Sequence, residues 1–333
     1  MGGGWPTVPA TGKTIQIMRT ILTLIRWKNL TMIAITMVMM RYTIIAPLLE
    51  KEGFSLQLPD SRFWLLVMTV LCIAAGGYII NDVMDTKADA VNRPETVVVG
   101  KKISSSQATF LYAGLNVVAL FTGVHLSYHI GLPRLSLLFL LIMGLLWFYS
   151  NTYKWQLLLG NVIIALLVAT VPLVVYWFEI PPVHIHYRNQ IIITGHGTGE
   201  VWRWIVFYSV FAFLLTLLRE IIKDAEDFAG DRYVGKNTLP FTFGIKVTKY
   251  VTAGLLCFIL VLFMGVDLYF IDNPVSFVYI TSLLILPMGY LLYRLVKAST
   301  PVDFHHVSTG CKWVMVAGIG YSVLVRFFIT HGV

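Results

Sequence analysis

Two groups of three aspartates have the residue type and spacing that point most directly to chemistry. Both follow the pattern D-x-x-D-x-x-x-D, and the second begins 142 residues after the first. The members are Asp82, Asp85 and Asp89 in the first group, and Asp224, Asp227 and Asp231 in the second. On a helix that turns about 100° per residue, this spacing places three side chains on one face. Like charges in such proximity repel each other, so each group predicts a bound cation.

The chemistry of these side chains favours Mg²⁺. This ion prefers hard oxygen ligands and is commonly held by one or two carboxylates together with phosphate oxygens of a substrate. We therefore predict that all six aspartates bind Mg²⁺ and that the metal joins them to a diphosphate. Asp82, Asp85, Asp224 and Asp227 are also predicted to be catalytic. Asn81 directly precedes the first group, and its amide oxygen is a further candidate metal ligand.

Polar and basic residues beside both groups are candidates for binding the diphosphate. Asn92 and Arg93 follow the first group, while Lys223 precedes the second and Arg232 follows it. Each basic residue taken alone is also explained as a determinant of membrane topology. Lys154 is the exception because it is the only basic residue in its loop, and we predict that it is catalytic and contacts the leaving diphosphate.

The composition shows what must position these side chains. Of the 333 residues, 57% are hydrophobic and 13% are charged, against about 25% charged in a typical soluble domain. Spans of about 20 apolar residues predict an all-α, polytopic membrane bundle of about nine helices around a central cavity capped by cytoplasmic loops. Residues 28–333 form one transmembrane domain, and residues 1–27 form a tail in which 13–27 has the pattern of an interfacial helix. The predicted spans are 28–49, 62–81, 107–128, 134–150, 157–178, 202–222, 248–270, 274–297 and 310–330.

The distribution of basic residues predicts the orientation. If the N-terminus is cytoplasmic, 18 of the 25 Lys and Arg residues lie in or near the tail and the loops on that side. Such a bias fixes topology, so both aspartate groups should face the cytoplasm of a bacterial or archaeal cell membrane. The net charge of +8 is then a topology signal with some attraction to lipid headgroups, and no nucleic-acid partner is expected.

The sequence around both groups resembles the UbiA superfamily of intramembrane prenyltransferases. That family has N-D-x-x-D-x-x-x-D-x-x-N-x-P, which stands here as NDVMDTKADAVNRP, and D-x-x-D-x-x-x-D followed by G-x-x-T-L-P, which stands here as DAEDFAGDRYVGKNTLP. Tyr153, Lys154 and the Gly-Asn pair at 160–161 also match the family's loop between its fourth and fifth helices. The resemblance covers essentially the whole chain and adds Tyr153 to the predicted substrate-binding residues.

The resemblance implies Mg²⁺-dependent transfer of a prenyl group from an isoprenyl diphosphate to a lipophilic or amphipathic acceptor within the bilayer. The amino-acid sequences of the motifs are most similar to those of bacterial members described as geranylgeranylglycerol-phosphate geranylgeranyltransferases. A geranylgeranyl donor and a prenylglycerol phosphate acceptor are therefore expected. An aromatic precursor of menaquinone or ubiquinone is the alternative acceptor. A transporter with intramembrane carboxylates is the alternative of another class, although its charges would more often lie near the midplane.

One position departs from the family pattern. Many members have an arginine where this chain has Thr96, so a cation expected near the diphosphate is absent there. Arg93, or Lys101 and Lys102, are the candidates that replace it.

Three other features carry predictions about structure. Arg41 lies within the first span, and we expect it to pair with a neighbouring helix or to extend towards the membrane surface. Glu226 would point away from Asp224 and Asp227 and is left out of the metal set. Gly76 and Gly77 are expected to allow close helix packing.

Overall fold

The protein is described by a computed structural model that covers residues 10–92, 94–95, 97–270 and 273–331. Within these residues the regular structure is helical, apart from an isolated bridge between Val99 and Ile103. Nine of the described helices are long and apolar enough to span a bilayer. The helices are α1 (Ala10–Leu24), α2 (Trp27–Lys51), α3 (Asp60–Met84), α4 (Thr86–Asn92), α5 (Ser105–His129), α6 (Pro133–Asn151), α7 (Leu159–His186), α8 (Arg188–Thr194), α9 (Gly199–Glu226), α10 (Phe228–Val234), α11 (Leu239–Phe270), α12 (Pro274–Lys297) and α13 (Pro301–His331).

Each predicted span corresponds to one of these helices, but several helices are longer than predicted. Helix α7 continues past residue 178 and contains Pro181 and Pro182, because neighbouring helices can satisfy the backbone groups that a proline leaves free. Helix α13 begins nine residues before its predicted span, since its first turns are polar. Helix α11 also begins early and has a sharp bend at Gly244, whose φ of 82° glycine adopts without strain.

Helix α9 holds a central place in the bundle and packs against α7, α11 and α13. Helix α3 packs against α5 and α6, while α2 contacts both α3 and α13. Small residues allow the close approach of α3: a Cβ added at Gly76 would lie 3.0 Å from Asn116 Nδ2, and one at Gly77 would lie 3.0 Å from Leu146 Cδ1. The predicted packing role of these two glycines is confirmed.

Arg41 is 1% exposed and lies in a π-helical part of α2, Met40–Ile45. Its Nε lies 2.7 Å from the Glu179 carboxylate of α7, and its Nη1 lies 2.6 Å from Asp60 at the start of α3. The predicted pairing with neighbouring helices is therefore found. Removing one partner of such a buried pair typically costs about 3–5 kcal/mol, so this cluster ties α2, α3 and α7 together.

Ion pairs show which helix ends share a membrane face. Arg26, just before α2, pairs with Asp82 near the end of α3. Glu226, at the end of α9, lies 3.0 Å from His305 near the start of α13. These ends, and the short helices α4 and α10 that follow α3 and α9, lie on one side of the bundle, which we call the motif face.

Candidate active site

Both aspartate motifs are built on the same backbone arrangement. Helix α3 ends at Met84, and Asp85 has φ −94° and ψ 8°; α9 ends at Glu226, and Asp227 has φ −88° and ψ 8°. The expectation of one continuous helix through each motif is wrong, because the middle aspartate takes a bridge conformation and the chain bends there. The spacing of residues does not reveal such a bend.

Backbone hydrogen bonds keep each bend in place. Asp85 N–H donates to Asn81 O at 2.9 Å, and Asp89 N–H donates to Asp85 O at 2.9 Å. In the second motif, Asp227 and Asp231 donate to the carbonyl oxygens four residues earlier, at 2.8 and 3.1 Å. The two motifs are therefore matching helix–bend–helix units.

Helices α4 and α10 pack against each other, so the two motifs lie side by side. Their charges act across the contact. Burial, together with the charges of Asp85 and Asp82, raises the pKa of Asp89 to about 6, and Arg26 and Lys223 oppose that shift. Lys223 directly precedes the second motif, so a charge beside one motif acts on an aspartate of the other.

Two cations from distant parts of the chain engage the first motif. Arg26 Nη2 lies 2.7 Å from Asp82 Oδ1, and the guanidinium carbon lies 5.1 Å from the centre of the Tyr78 ring. Lys154 Nζ donates to Asp85 Oδ1 at 2.7 Å. Lys154 is only 4% exposed, and burial lowers its pKa while Asp85 opposes the shift.

A tight loop between α6 and α7 holds Lys154. Residues Tyr153–Trp155 form a 3₁₀ turn, and Leu158 then takes a left-handed conformation with φ 58° before α7 begins. A Cβ at Gly160 would lie 2.9 Å from Lys154 Cα, so only glycine permits this approach. The next residue, Asn161, donates to Asp224 Oδ2 at 2.8 Å and so connects the loop to the second motif.

The second motif contains its own cation. Asp231 is 3% exposed, and its Oδ1 lies 3.4 Å from Lys236 Nζ. Burial raises the pKa of Asp231, whereas Lys236 opposes the shift. Burial alone would lower the pKa of Lys236, but Asp231 and Asp224 raise it above its usual value, and Asp85 adds to the effect. Lys236 therefore contacts the second motif and interacts electrostatically with Asp85 of the first.

The predicted substrate-binding residues differ in how deeply they are buried, and some of them lie outside the described part of the chain. Tyr153 and Lys223 are half-buried near the cluster, while Arg232 is exposed on α10. Arg93 and Thr96 lie outside the described residues, as does the side chain of Asn92. Lys101, a candidate for the cation absent at Thr96, donates to Pro94 O at 2.7 Å.

Three residues of the cluster were not predicted from the sequence: Arg26, Asn161 and Lys236. Asn161 belongs to the Gly-Asn pair at 160–161, and Lys236 lies within G-K-N-T-L-P, so the match to the family motifs was the available signal for these two residues. Arg26 lies in the predicted interfacial segment, 56 residues from Asp82, and no local pattern indicates it.

The oxygen atoms of the two motifs fit the ligand chemistry of Mg²⁺. Asn81 Oδ1 and Asp231 Oδ2 are buried and have no hydrogen-bond partner in the described part of the chain. Such oxygens are costly without a partner, and a cation would satisfy them. Among the same residues, no three Asp, Glu, His or Cys side chains converge on one point that could hold an ion. Mg²⁺ commonly takes one or two carboxylates and completes its shell with phosphate oxygens, and the carboxylate and amide oxygens of the two motifs fit that chemistry.

Comparison with known protein families shows which family this chain belongs to. Residues 26–305 match the UbiA prenyltransferase family. The chain belongs to the UbiA prenyltransferase family. Membership confirms the predicted all-α, multi-pass membrane fold and the predicted class of enzyme, a prenyltransferase.

Similar proteins within this family include archaeal digeranylgeranylglyceryl phosphate synthases. The one from Methanothermobacter thermautotrophicus is 32% identical over 190 residues, which cover 57% of this chain and 59% of that protein. The one from Saccharolobus solfataricus is 26% identical over 260 residues, which cover 77% of this chain and 81% of that protein. The match thus spans less than two thirds of the first relative's length.

Solved structures share the UbiA fold. A structure described as a digeranylgeranylglyceryl phosphate synthase in membranes is 23% identical, with a TM-score of 0.60, and the match covers 92% of this chain and 98% of that one. A UbiA homologue from Archaeoglobus fulgidus bound to GPP and Mg²⁺ is 15% identical, with a TM-score of 0.54, and the match covers 91% of this chain and 99% of that one.

Proposed function

We propose that this UbiA-family protein catalyses Mg²⁺-dependent transfer of a prenyl group, with geranylgeranyl diphosphate as donor and a prenylglycerol phosphate as acceptor. The observation that carries the proposal is the contact between α4 and α10, which places two aspartate motifs side by side with Lys154 and Lys236 among them. A membrane carrier has no need for two matched acidic motifs at one face, whereas a diphosphate bound through a divalent metal needs both.

The six motif aspartates and Asn81 are the residues that would hold the metal. When bound, Mg²⁺ would supply positive charge that polarises and orients the diphosphate. The carboxylates now engaged by Arg26 and Lys154 would exchange those cations for the metal. Arg26 and Lys154 would then face the same diphosphate, because the N-terminal segment and the loop between α6 and α7 hold them beside the cluster.

Lys154 and Lys236 would stabilise the departing diphosphate. As the bond between the allylic carbon and the diphosphate oxygen breaks, negative charge grows on that oxygen, and charge-assisted hydrogen bonds to fixed ammonium groups strengthen. Lys154 is buried and held by its turn, so it loses little freedom when it binds the diphosphate. The acceptor hydroxyl oxygen forms the new bond to carbon, and its proton passes to the released diphosphate. The surrounding apolar helices exclude the water that would otherwise compete.

Arg26 is the described residue that best supplies the cation absent at Thr96. Its guanidinium already reaches Asp82, and its charge acts on Asp89. Lys101 is occupied by the Pro94 carbonyl. We therefore assign diphosphate binding to Arg26 as well as to Tyr153 and Lys223.

Relatives support the choice of acceptor. The archaeal proteins that resemble this chain are named for the synthesis of digeranylgeranylglyceryl phosphate, and a fold neighbour binds GPP and Mg²⁺.

The excess of basic residues on the motif face supports a cytoplasmic active site. We propose that one transmembrane domain covers 28–333 and that an interfacial segment precedes it. The amphipathic helix α1 supports this division, because its exposed residues include the apolar Ile17 and Met18.

The test is a transfer assay with the purified full-length chain in lipid vesicles. Labelled geranylgeranyl diphosphate and Mg²⁺ are supplied with either geranylgeranylglyceryl phosphate or an aromatic quinone precursor, and both diphosphate release and lipid product are measured. We expect a product with the glycerol phosphate and none in chelator. Transfer only to the aromatic compound would contradict the acceptor, and undiminished transfer by Asp82→Ala or Asp224→Ala protein in chelator would contradict the mechanism.

A further inference from the structure

A second group of charged side chains lies deeper in the bundle than the aspartate motifs. Arg219 and Glu220 are on α9, and Arg219 Nη1 lies 2.6 Å from Glu220 Oε1. Lys312 is on α13, inside the predicted membrane span. An ionisable residue within a membrane helix is expensive to keep there and usually has a function. None of the three residues has a role in the donor site described above.

The geometry of α9 and α13 places Arg219 and Lys312 at the same depth. These helices pack against each other in opposite directions, and Glu226 and His305 meet across them at the motif face. Arg219 is seven residues before Glu226, and Lys312 is seven residues after His305. Seven residues are about two turns, so both residues keep the facing sides of their helices and lie about 10 Å deeper.

The Lys312 side chain is exposed, and several charged groups act on it. Its charge interacts with those of Arg219, Lys223, Glu220 and Arg26. Arg26 stands just before α2, and α2 contacts both α9 and α13, so these charges lie on the side of α13 that meets α2 and α9. The next residue, Trp313, is 70% exposed on the outside of α13, while Cys311 is buried.

The group has unused capacity to bind an anion. Lys312 makes no hydrogen bond or ion pair with the described residues, and Arg219 Nε is buried without a partner among them. Glu220 is the one acid that acts on Lys312 among three cations. Positive charge that exceeds the nearby negative charge in a membrane is costly, and an anionic ligand would offset that cost.

We propose that Lys312 and Arg219 form a site for the phosphate group of an amphiphilic acceptor, separate from the diphosphate site on the two aspartate motifs. This inference rests on the proposed function and names the chemical feature by which the acceptor is recognised. In a glycerol phosphate the free hydroxyl is separated from the phosphate by a short carbon chain. A phosphate held just below the motifs therefore brings that hydroxyl close to the allylic carbon of the donor, while Glu220 orients Arg219 through their ion pair.

The test compares two acceptors that differ only in the phosphate. Full-length protein in zwitterionic vesicles receives geranylgeranyl diphosphate, Mg²⁺ and either geranylgeranylglyceryl phosphate or geranylgeranylglycerol. Lys312→Gln is expected to raise the KM for the phosphate acceptor at least about tenfold, since a charge-assisted hydrogen bond is lost. The KM for the alcohol and for the donor should stay unchanged, and Lys312→Arg should keep most of the preference for phosphate.

The matched control is Lys297→Gln, which removes an exposed lysine whose Nζ contacts Tyr293 at the end of α12. A higher donor KM in Lys312→Gln would assign Lys312 to the donor, and an equal loss with both acceptors would indicate a structural role; either result overturns the inference. Loss of activation by added anionic lipid, with the acceptor preference intact, would assign the site to bulk lipid headgroups and also overturn it. If the wild-type protein transfers to neither glycerol acceptor, the proposed function itself fails, which is a separate outcome.

Discussion

Asp85 and Asp227 occupy equivalent places in two helix–bend–helix units with nearly identical backbone angles and hydrogen bonds. Their surroundings differ. The first motif meets Arg26 and Lys154, which lie 56 and 69 residues away from their partners in sequence. The second motif meets Lys236, five residues after Asp231. One unit thus obtains its cations through tertiary packing, and the other carries its own.

This difference indicates distinct tasks for two similar units. The cations of the first motif belong to the N-terminal segment and to the loop between α6 and α7, so they can move relative to Asp82 and Asp85 without unfolding α4. Lys236 is fixed close to the more deeply buried Asp231. We infer that binding of a metal and diphosphate rearranges charges mainly at the first motif, while the second motif stays largely as it is.

Replacing the two equivalent aspartates tests whether the motifs act on one ligand. Asp85→Asn and Asp227→Asn should each lower kcat/KM for transfer by about 10²–10³-fold, the size of effect seen when one group that stabilises the transition-state charge is lost. The double variant should lose less than the product of the two effects, because both residues act on the same diphosphate. Steady-state kinetics with varied donor provide the measurement. Near wild-type activity of either single variant contradicts a shared site, and Glu200→Gln on the opposite face serves as the control.

Replacing the lysine that contacts each motif tests whether the two motifs have different tasks. Lys154→Met should lower kcat by about 10- to 100-fold, since a charge-assisted hydrogen bond to the leaving group is lost. Lys236→Met should raise the donor KM by about tenfold. Lys154→Met should reach half-maximal activity at a lower Mg²⁺ concentration than the wild type, because a competing cation is gone. The Mg²⁺ requirement of Lys236→Met should change less, since the second motif is expected to keep its arrangement.

A Mg²⁺ titration of each lysine variant measures this shift. A higher Mg²⁺ requirement in Lys154→Met would mean that the lysine helps to hold the metal-bound state instead of competing with the metal. An unchanged Mg²⁺ requirement in Lys154→Met would contradict the inferred exchange of cations at the first motif.

The loop that holds Lys154 provides a smaller and more local perturbation. Gly160→Ala puts a Cβ within 2.9 Å of Lys154 Cα and 3.2 Å of Tyr153 O, so the backbone of the loop must move. We expect roughly tenfold lower kcat and a loss of stability of about 1–3 kcal/mol, as is usual for overpacking. Gly144→Ala on α6 is the control, since nothing lies within 4 Å of its added Cβ. Equal behaviour of the two variants would show that the exact position of Lys154 is unimportant.

The sequence predicted the spans and the common face of the two aspartate motifs because hydropathy and residue spacing are local properties. That the six aspartates bind the metal stays a prediction. The bends at Asp85 and Asp227 were not predictable, since a 100° rule assumes a straight helix. Arg26 and Asn161 escaped prediction for another reason. Their partners, Asp82 and Asp224, lie more than 50 residues away in sequence, and only the packing of α2, α3, α7 and α9 brings them together.

The smallest expected effect concerns Glu226, which lies between Asp224 and Asp227 in sequence. Its carboxylate lies 3.0 Å from His305 Nδ1, and the His305 side chain is 61% exposed. The Glu226 side chain is 13% exposed, but its partner is open to solvent, and an ion pair screened in this way contributes about 0–1 kcal/mol. Glu226→Gln should therefore change stability by about 1 kcal/mol or less and activity by less than about twofold. The same transfer assay and a thermal unfolding curve measure both quantities. A loss of activity as large as that of Asp227→Asn would add a fourth carboxylate to the second motif, and the two units could then no longer be treated as equivalent.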